Sequence, residues 1–445
     1  MEQEQPTPLK KKSFFERHNT TMKSLVVAFL LMFMLIPRQK IVDLIYEREY
    51  FRNQAIDEVS NKWSYEQNVM GPVVSVPYIE FYREDNNKPL QKVYKFAHFL
   101  PEDLKIKAEM IPTSRYRGIY EVVVYVAKVH FEGYFNPFDV PSLGIPKENI
   151  LWEYASVAIG MNDLRGIEEQ IAIQWNDSKI TFNPGMETND VLPNGVSTKV
   201  PVRPFSDKTV SRYSFNFNVV LRGTGSLNFI PVGHEMNLHV HSPWTSPKFD
   251  GAFLPEKYEI TPNGFTADWK VLHLNRPFPQ YWLGNMQTES SAFGVNLLIA
   301  LDDYKQSNRA VKYAFILITL TFALYFFIEM LNKRRIHPFH YILVGLAICL
   351  FFTLLISMTE HIRFSLAYLI STIMTVGLVV WYSNSILKDT RLAQLVGGIL
   401  SLLYGFVFVI VRLEDYALLM GSLGLFVALT IVMYYARKVD WYDLD

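Results

Sequence analysis

Residues 311–335 read VKYAFILITLTFALYFFIEMLNKRR, and this stretch decides the fold. A bilayer core about 30 Å thick takes roughly 20 residues of helix at 1.5 Å each, so Val311 to Leu331 is long enough to cross it. Lys333, Arg334 and Arg335 follow at once. Dense basic clusters stay on the cytoplasmic side, so this helix runs from outside to inside.

Working outward, the same length filter passes or nearly passes about six runs. The earliest, Ser24 to Ile36, is short and ends at Pro37, with Met22 before it and Ile41 to Ile45 after it to extend the buried length if the helix bends at the proline. Lys10, Lys11, Lys12, Arg17 and Lys23 precede it. Arg38 and Lys40 stand where a cleavable signal would carry small residues, so the segment reads as an uncleaved signal anchor. The third run, about Pro338 to Met358, and the fourth, about Ile362 to Tyr382, form a tight hairpin around Thr359, Glu360 and His361. Lys388 and Arg391 mark the next inside loop. The fifth, about Leu392 to Val411, turns at Arg412, Leu413, Glu414 and Asp415 into the sixth, about Tyr416 to Ala436, which ends at Arg437 and Lys438. One orientation puts every basic cluster in the cytoplasm. Arg309, Lys312, Arg363 and Arg412 dissent, but only as single charges.

These readings predict an α+β membrane protein with about six transmembrane helices, one N-terminal and five C-terminal, and a large mostly-β periplasmic domain. Residues 1–45 are a cytoplasmic N-terminus and signal-anchor helix. Residues 46–308 form the β-rich domain with an N-terminal helical stalk, and 309–445 form a five-helix transmembrane domain. The composition agrees: of 445 residues 50% are hydrophobic, and 43 Lys+Arg balance 43 Asp+Glu, which excludes a disordered or nucleic-acid-binding chain. Cys349 is the only cysteine and lies inside an apolar run, so no internal disulfide can form.

Between the anchor and the second run, Ile41 to Trp63 places Ile41, Leu44, Ile45, Phe51, Ala55 and Val59 near helical spacing. From Gly71-Pro72 the pattern changes to β-branched and aromatic runs: Val73 to Tyr82, Gln91 to Phe99, Tyr120 to Phe131 and Tyr213 to Val220. Ile119 to Val129 carries Val122, Val124 and Val126 alternating with Val123, Tyr125 and Ala127, which predicts a strand buried on both faces. Asn162-Asp163, Asn194-Gly195 and Asn263-Gly264 read as turn tips. One large sandwich and two subdomains both fit the region.

The chemistry-bearing residues are sparse. His239 and His241 fall on one face of a strand, about 6 to 7 Å apart, with His234 nearby, close enough for one metal. Without a third helical His or a Cys they read as satisfied surface or core histidines. His337 and His340 sit at a membrane entry, suited to headgroup anchoring. No G-x-S-x-G elbow, phosphate loop or dinucleotide fingerprint is present, and Arg222-Gly223-Thr224-Gly225 reads as a β-turn. The expectation is a non-enzyme with no catalytic, cofactor-binding or metal-binding set. The most suggestive group is the charges at the outer hairpin ends: Glu360, His361 and Arg363 in one, Arg412, Glu414 and Asp415 in the other. Charges at that depth are costly unless paired or wet, so either the loops face one another or dock on the β-rich domain, or, the more ordinary reading, these are interfacial residues with no joint role. Glu329 is the main acid deeper in the helices.

Several ordered motifs carry a resemblance. They are Trp63, Gln67, Gly71-Pro72 and Pro77-Tyr78; Arg117-Gly118-Ile119-Tyr120 with Gly133 and Phe135; and Leu227 to Gly233. Ser242-Pro243-Trp244, Pro247 to Gly251, Leu254-Pro255 and Gly264-Phe265 through Ala267 to Trp269 follow. The most specific are Thr359-Glu360-His361 before Phe364 and Ala367-Tyr368, and Glu414-Asp415-Tyr416-Ala417-Leu418-Leu419 leading to Asp440-Trp441-Tyr442. In this order they resemble the CreD family of bacterial inner-membrane proteins. The basic clusters put both termini in the cytoplasm, and the resemblance implies an inner-membrane location, a periplasmic domain, and a role in cell envelope integrity and envelope stress. It supplies no catalytic residues and no cofactor. The partners expected are membrane lipids and a periplasmic or envelope protein; the other class of reading is a transporter or lipid-handling protein.

Overall fold

The computed structural model describes residues 19–82, 90–191, 193–203, 211–297, 303–332, 336–413 and 416–437. The chain divides into two units, one of Met1–Phe51 with Leu301–Asp445 and one of Arg52–Ala300.

In the first unit the described residues hold six stretches long and apolar enough to cross a membrane: Lys23–Trp63, Gln306–Leu331, Pro338–Thr359, Phe364–Leu387, Thr390–Arg412 and Ala417–Ala436. The first consists of α1 (Asn19–Phe33) and α2 (Leu35–Trp63), interrupted at Met34. Pro37 has no N–H to offer the Phe33 carbonyl and its ring crowds that position, whereas the ladder resumes from Arg38 N to Met34 O at 3.3 Å. The second joins α3 (Asp303–Lys312) to α4 (Ala314–Leu331) through Tyr313. Then come α5 (Pro338–Thr359), α6 (Phe364–Leu387), α7 (Thr390–Arg412) and α8 (Ala417–Ala436). Local chemistry sets the ends. Pro338 opens α5 behind the His337 cap, left-handed Lys388 closes α6, and the Asp389 carboxylate caps α7 by accepting from Arg391 N and Leu392 N. Between helices, where lipid supplies no hydrophobic drive, packing and hydrogen bonds hold. Phe351 lies 5.2 Å from the Tyr368 ring and 4.5 Å from the Tyr404 ring, and Tyr368 Oη donates to Tyr404 O at 2.8 Å.

The second unit is built from two mixed sheets. One has the order β13 (Pro247–Gly251), β17 (Phe293–Leu297), β11 (Ser226–Ile230), β1 (Gln67–Tyr82), β5 (Ser156–Met161), β9 (Gly195–Lys199) and β8 (Asn183–Pro184). Off that path, β2 (Gln91–Phe99) pairs with β1 and β16 (Tyr281–Leu283) with β2. The other runs β14 (Lys257–Thr261), β15 (Gly264–Leu272), β12 (Glu235–Ser242), β3 (Asp103–Arg117), β4 (Tyr120–Phe135), β10 (Tyr213–Thr224), β6 (Ala172–Trp175) and β7 (Ser178–Thr181). Both sheets contribute to a single hydrophobic core, including Val74, Phe131, Trp175, Phe229 and Phe293. The region is therefore one double-sheet body.

Three details refine the sequence reading. Both faces of β4 are buried only over Val122–Tyr125; beyond Val126 the strand alternates, with Lys128 exposed. Pro262 and Asn263 form the turn between β14 and β15, and Gly264 takes φ +137°, where a Cβ would lie 2.2 Å from the Ser242 carbonyl oxygen. The expected turn across Arg222–Gly225 is mostly strand: Gly223 and Thr224 belong to β10, and only Gly225 leaves it, at φ +73°. Gly223 is needed under Tyr125, because a Cβ there would lie 2.2 Å from the Tyr125 hydroxyl oxygen.

Candidate functional site

Where α2 ends, the chain must leave a helix and enter the centre of a sheet within a few residues, and a dense polar joint makes the transition. Asp163, just after β5, accepts five hydrogen bonds. Oδ1 takes Arg165 N at 3.1 Å and Nε at 3.0 Å; Oδ2 takes Ser64 Oγ at 3.1 Å, Tyr65 N at 3.2 Å and Arg165 Nη2 at 2.9 Å. Arg165 Nη1 in turn donates to Asn61 O at 2.7 Å, neutralising one of the orphan carbonyls at the C-terminus of α2. Gln67 Nε2 donates to Asp163 O at 2.9 Å and Ser64 Oγ at 2.8 Å, and Thr224 Oγ1 reaches Ser64 O at 2.7 Å, so both sheets are tied in. Trp63 closes the joint. Its Nε1 donates to Tyr125 O, and the guanidiniums of Arg115 and Arg222 lie 5.3 and 4.6 Å from its ring. Gly166 admits this crowding, since a Cβ there would come within 2.5 Å of Arg222 O. Burial alone would raise the Asp163 carboxyl. The Arg165 guanidinium, with the N–H groups of Tyr65 and Arg165 and the Ser64 hydroxyl, instead holds it down at about 2.

Beside this joint opens a cleft of about 570 Å³ between Arg52–Ser60 of α2 and the ends of β4, β10 and β17. Asp57, Glu66, Glu121 and Arg52 line it, with Val123 and Leu297 at its base.

A second cluster joins β1, β2 and the loop before β9. Buried His98 has Nδ1 2.9 Å from Ser75 Oγ and Nε2 3.3 Å from Asp190 Oδ2. Burial lowers His98 despite Asp190 beside it, so the ring is neutral near pH 7; it carries its proton on Nε2 and accepts from Ser75. These are the residue types of an acyl-transfer triad. Ser75, however, opens only on a cavity of about 10 Å³, the size of one water, where no acyl substrate fits.

The histidines of the sequence reading separate. His239 and His241 lie on the same exposed face of β12, but His239 Nδ1 is 2.7 Å from Asp268 Oδ1, and His234 stacks on His273 with centroids 3.7 Å apart. His337 caps α5, and His340 Nδ1 meets Tyr382 Oη at 2.7 Å. Among the described residues no three His, Cys, Asp or Glu side chains converge on a metal-sized site.

Of the outer-hairpin charges, Glu360 lies 3.5 Å from Arg48 of α2, and Arg412 Nη2 donates to Ser365 Oγ at 2.7 Å in the first turn of α6. Arg412 thus reaches across to the other hairpin two residues from Arg363, while His361 and Arg363 face outward. The described contacts join none of these four charges to another. Glu414 and Asp415 lie outside the described residues.

The comparisons cover the same ground from end to end. Residues 19–442 match the family described as Inner membrane protein CreD. The chain belongs to the CreD family. It is also 31% identical over 426 residues to the inner membrane protein CreD of Escherichia coli (strain K12), across 95% of this chain and 93% of that protein. CreD membership makes the six apolar helices spans of an inner membrane and puts lipid around them. In this CreD-type chain the Trp63 and Gln67 of the resemblance prove to be parts of the joint. Asp163 was legible only as half of a turn-like Asn-Asp pair.

The other residue whose role exceeds its sequence signal is Lys23. In the sequence one more flanking cation, it places Nζ 2.6 Å from Glu329 Oε1, while Glu329 also accepts from Ile336 N at 3.1 Å and Tyr341 Oη at 3.3 Å. The pair binds α1 to α4 and α5.

Proposed function

We propose that this chain supports cell envelope integrity and the envelope stress response by presenting its β unit to the periplasm, with both chain ends in the cytoplasm, and binding an envelope protein there. The carrying observation is the 570 Å³ cleft along α2. It is a larger mixed-charge concavity than the one of about 270 Å³ beside Glu58, Lys62 and Arg115, and the spanning segment Lys23–Trp63 runs on into the α2 residues that line it. The orientation is supported by Lys388, Arg391 and Arg437 at the ends of α6, α7 and α8, with Lys333–Arg335 in the chain after α4. A non-enzymatic role is supported by the use made of the catalytic residue types: Ser75, His98 and Asp190 satisfy one another, and Ser75 borders a cavity of only about 10 Å³.

Photoreactive side chains placed at Asn53 and Glu66 on the cleft, and at exposed Lys248 on β13, test this in living cells. Reproducible capture of one envelope protein from the cleft positions is the expected result. Capture of lipid or glycan alone would oppose it and move the weight to direct handling of those molecules.

A further inference from the structure

α8 is as apolar as its neighbours, yet none of its residues is buried against the rest of the membrane unit. Between α4, α7 and α8 lie two cavities of about 710 and 320 Å³. They share Leu320, Leu402, Leu403, Ala428 and Ile431, and so form one groove. Among the described residues no charged side chain lines it. Gly405 and Gly421 widen it, for a Cβ at either would meet nothing within 4 Å. From Leu392 to Ile410 the groove follows α7 for about 27 Å, close to the hydrocarbon thickness.

The two ends differ in charge. At one, Asn332 of α4, Leu392 of α7 and Tyr435 of α8 line the groove. Arg391 and Arg437 stand exposed one and two residues beyond, and the chain after Asn332 continues into Lys333-Arg334-Arg335. At the other end, near Tyr313 and Met420, Lys312 and Arg412 are offset in sequence by Glu414 and Asp415, and Arg412 is already engaged by Ser365. An apolar slot one membrane deep, with Arg391 and Arg437 exposed just beyond one end, is complementary to a molecule with a long hydrocarbon tail and an anionic head. We propose that the groove binds an anionic phospholipid, an acyl chain lying between α4, α7 and α8 and its phosphate met by Arg391 and Arg437. Such a lipid fills the space left between α4, α7 and α8.

The full chain, purified in mild detergent and returned to nanodiscs of phosphatidylglycerol or phosphatidylcholine, is read by native mass spectrometry. Retention of about one phosphatidylglycerol per chain is expected, with phosphatidylcholine washed away. The Arg391→Gln, Arg437→Gln double variant is expected to bind phosphatidylglycerol about 30-fold more weakly, since two surface cations are lost. Gly405→Leu is expected to abolish retention by filling the groove; it removes a helix-interior glycine and so favours the fold, which its melting temperature checks. Equal retention of both lipids, unchanged retention in a folded Gly405→Leu protein, or a dimer that seals α8 without lipid would each overturn the assignment.

Discussion

Replacing Asp163 by alanine is expected to lower the melting temperature of the β unit by roughly 6 to 12 °C, followed by tryptophan fluorescence on the full chain in detergent. The substitution deletes the acceptor of five hydrogen bonds, leaves the buried Ser64 hydroxyl without this acceptor and leaves Arg165 hydrogen-bonded through Asn61 alone. With only 11% of the Asp163 side chain exposed, little water can replace what is lost, and a cost of about 3 kcal/mol follows. Asp163→Asn keeps the shape but not the charge and should fall between. A shift below about 2 °C for the alanine variant would mean that the joint does not hold α2 to the sheets.

The same carboxylate sets an acid limit. Its folded value of about 2 lies below the ordinary 3.8, so between these values the unfolded chain binds the extra proton. The stabilisation, at most about 2 kcal/mol, is therefore complete above pH 4 to 5 and lost as pH falls toward 2. His98, also held below its usual value, has its stabilisation complete above about 6.5 and weakened by acid below that. Asp163→Ala is expected to flatten the lower part of the stability–pH curve and leave the upper part.

Glu329→Ala is the larger perturbation in the membrane unit, expected to cost about 3 to 5 kcal/mol. Only 3% of the Glu329 side chain is exposed, and its loss leaves the Lys23 ammonium, Ile336 N–H and Tyr341 hydroxyl without their acceptor. A paired replacement, Lys23→Met with Glu329→Leu, removes both charges and should recover most of that loss, as buried pairs replaced by apolar residues do. Chemical unfolding in mixed micelles reads both variants. A double variant as unstable as Glu329→Ala would show that the cost comes from the Ile336 and Tyr341 hydrogen bonds to Glu329 and not from a stranded Lys23 charge.

What was legible in the sequence tracks how local its cause is. The spans could be read because hydropathy over about 20 residues is a sufficient condition for crossing, and Pro37 announced the break between α1 and α2 by its chemistry. Strand existence was legible in Tyr120–Phe131 and Tyr213–Val220. Sheet order was not, since β1 pairs with β11 and β3 with β12 over separations of more than a hundred residues. The site was hidden for the same reason: Asp163 has its nearest charged partner two residues away, but Ser64 and Tyr65 lie 98 or more positions off. Ser75, His98 and Asp190 sit singly in strands and loops with no motif between them. The groove was invisible because α8 is apolar on every side, so no pattern shows which face lacks a partner.

The account rests on the β unit lying outside the cell membrane and the loop between α6 and α7 lying inside. Cys349 is the only native cysteine and is buried, so a Cys349→Ser background permits single reporters. Lys248→Cys on β13 and Lys388→Cys after α6, both exposed positions, are treated with a membrane-impermeant maleimide in spheroplasts. The account predicts labelling of Lys248→Cys at once and of Lys388→Cys only after the membrane is opened. The reverse order would place the β unit in the cytoplasm and contradict it.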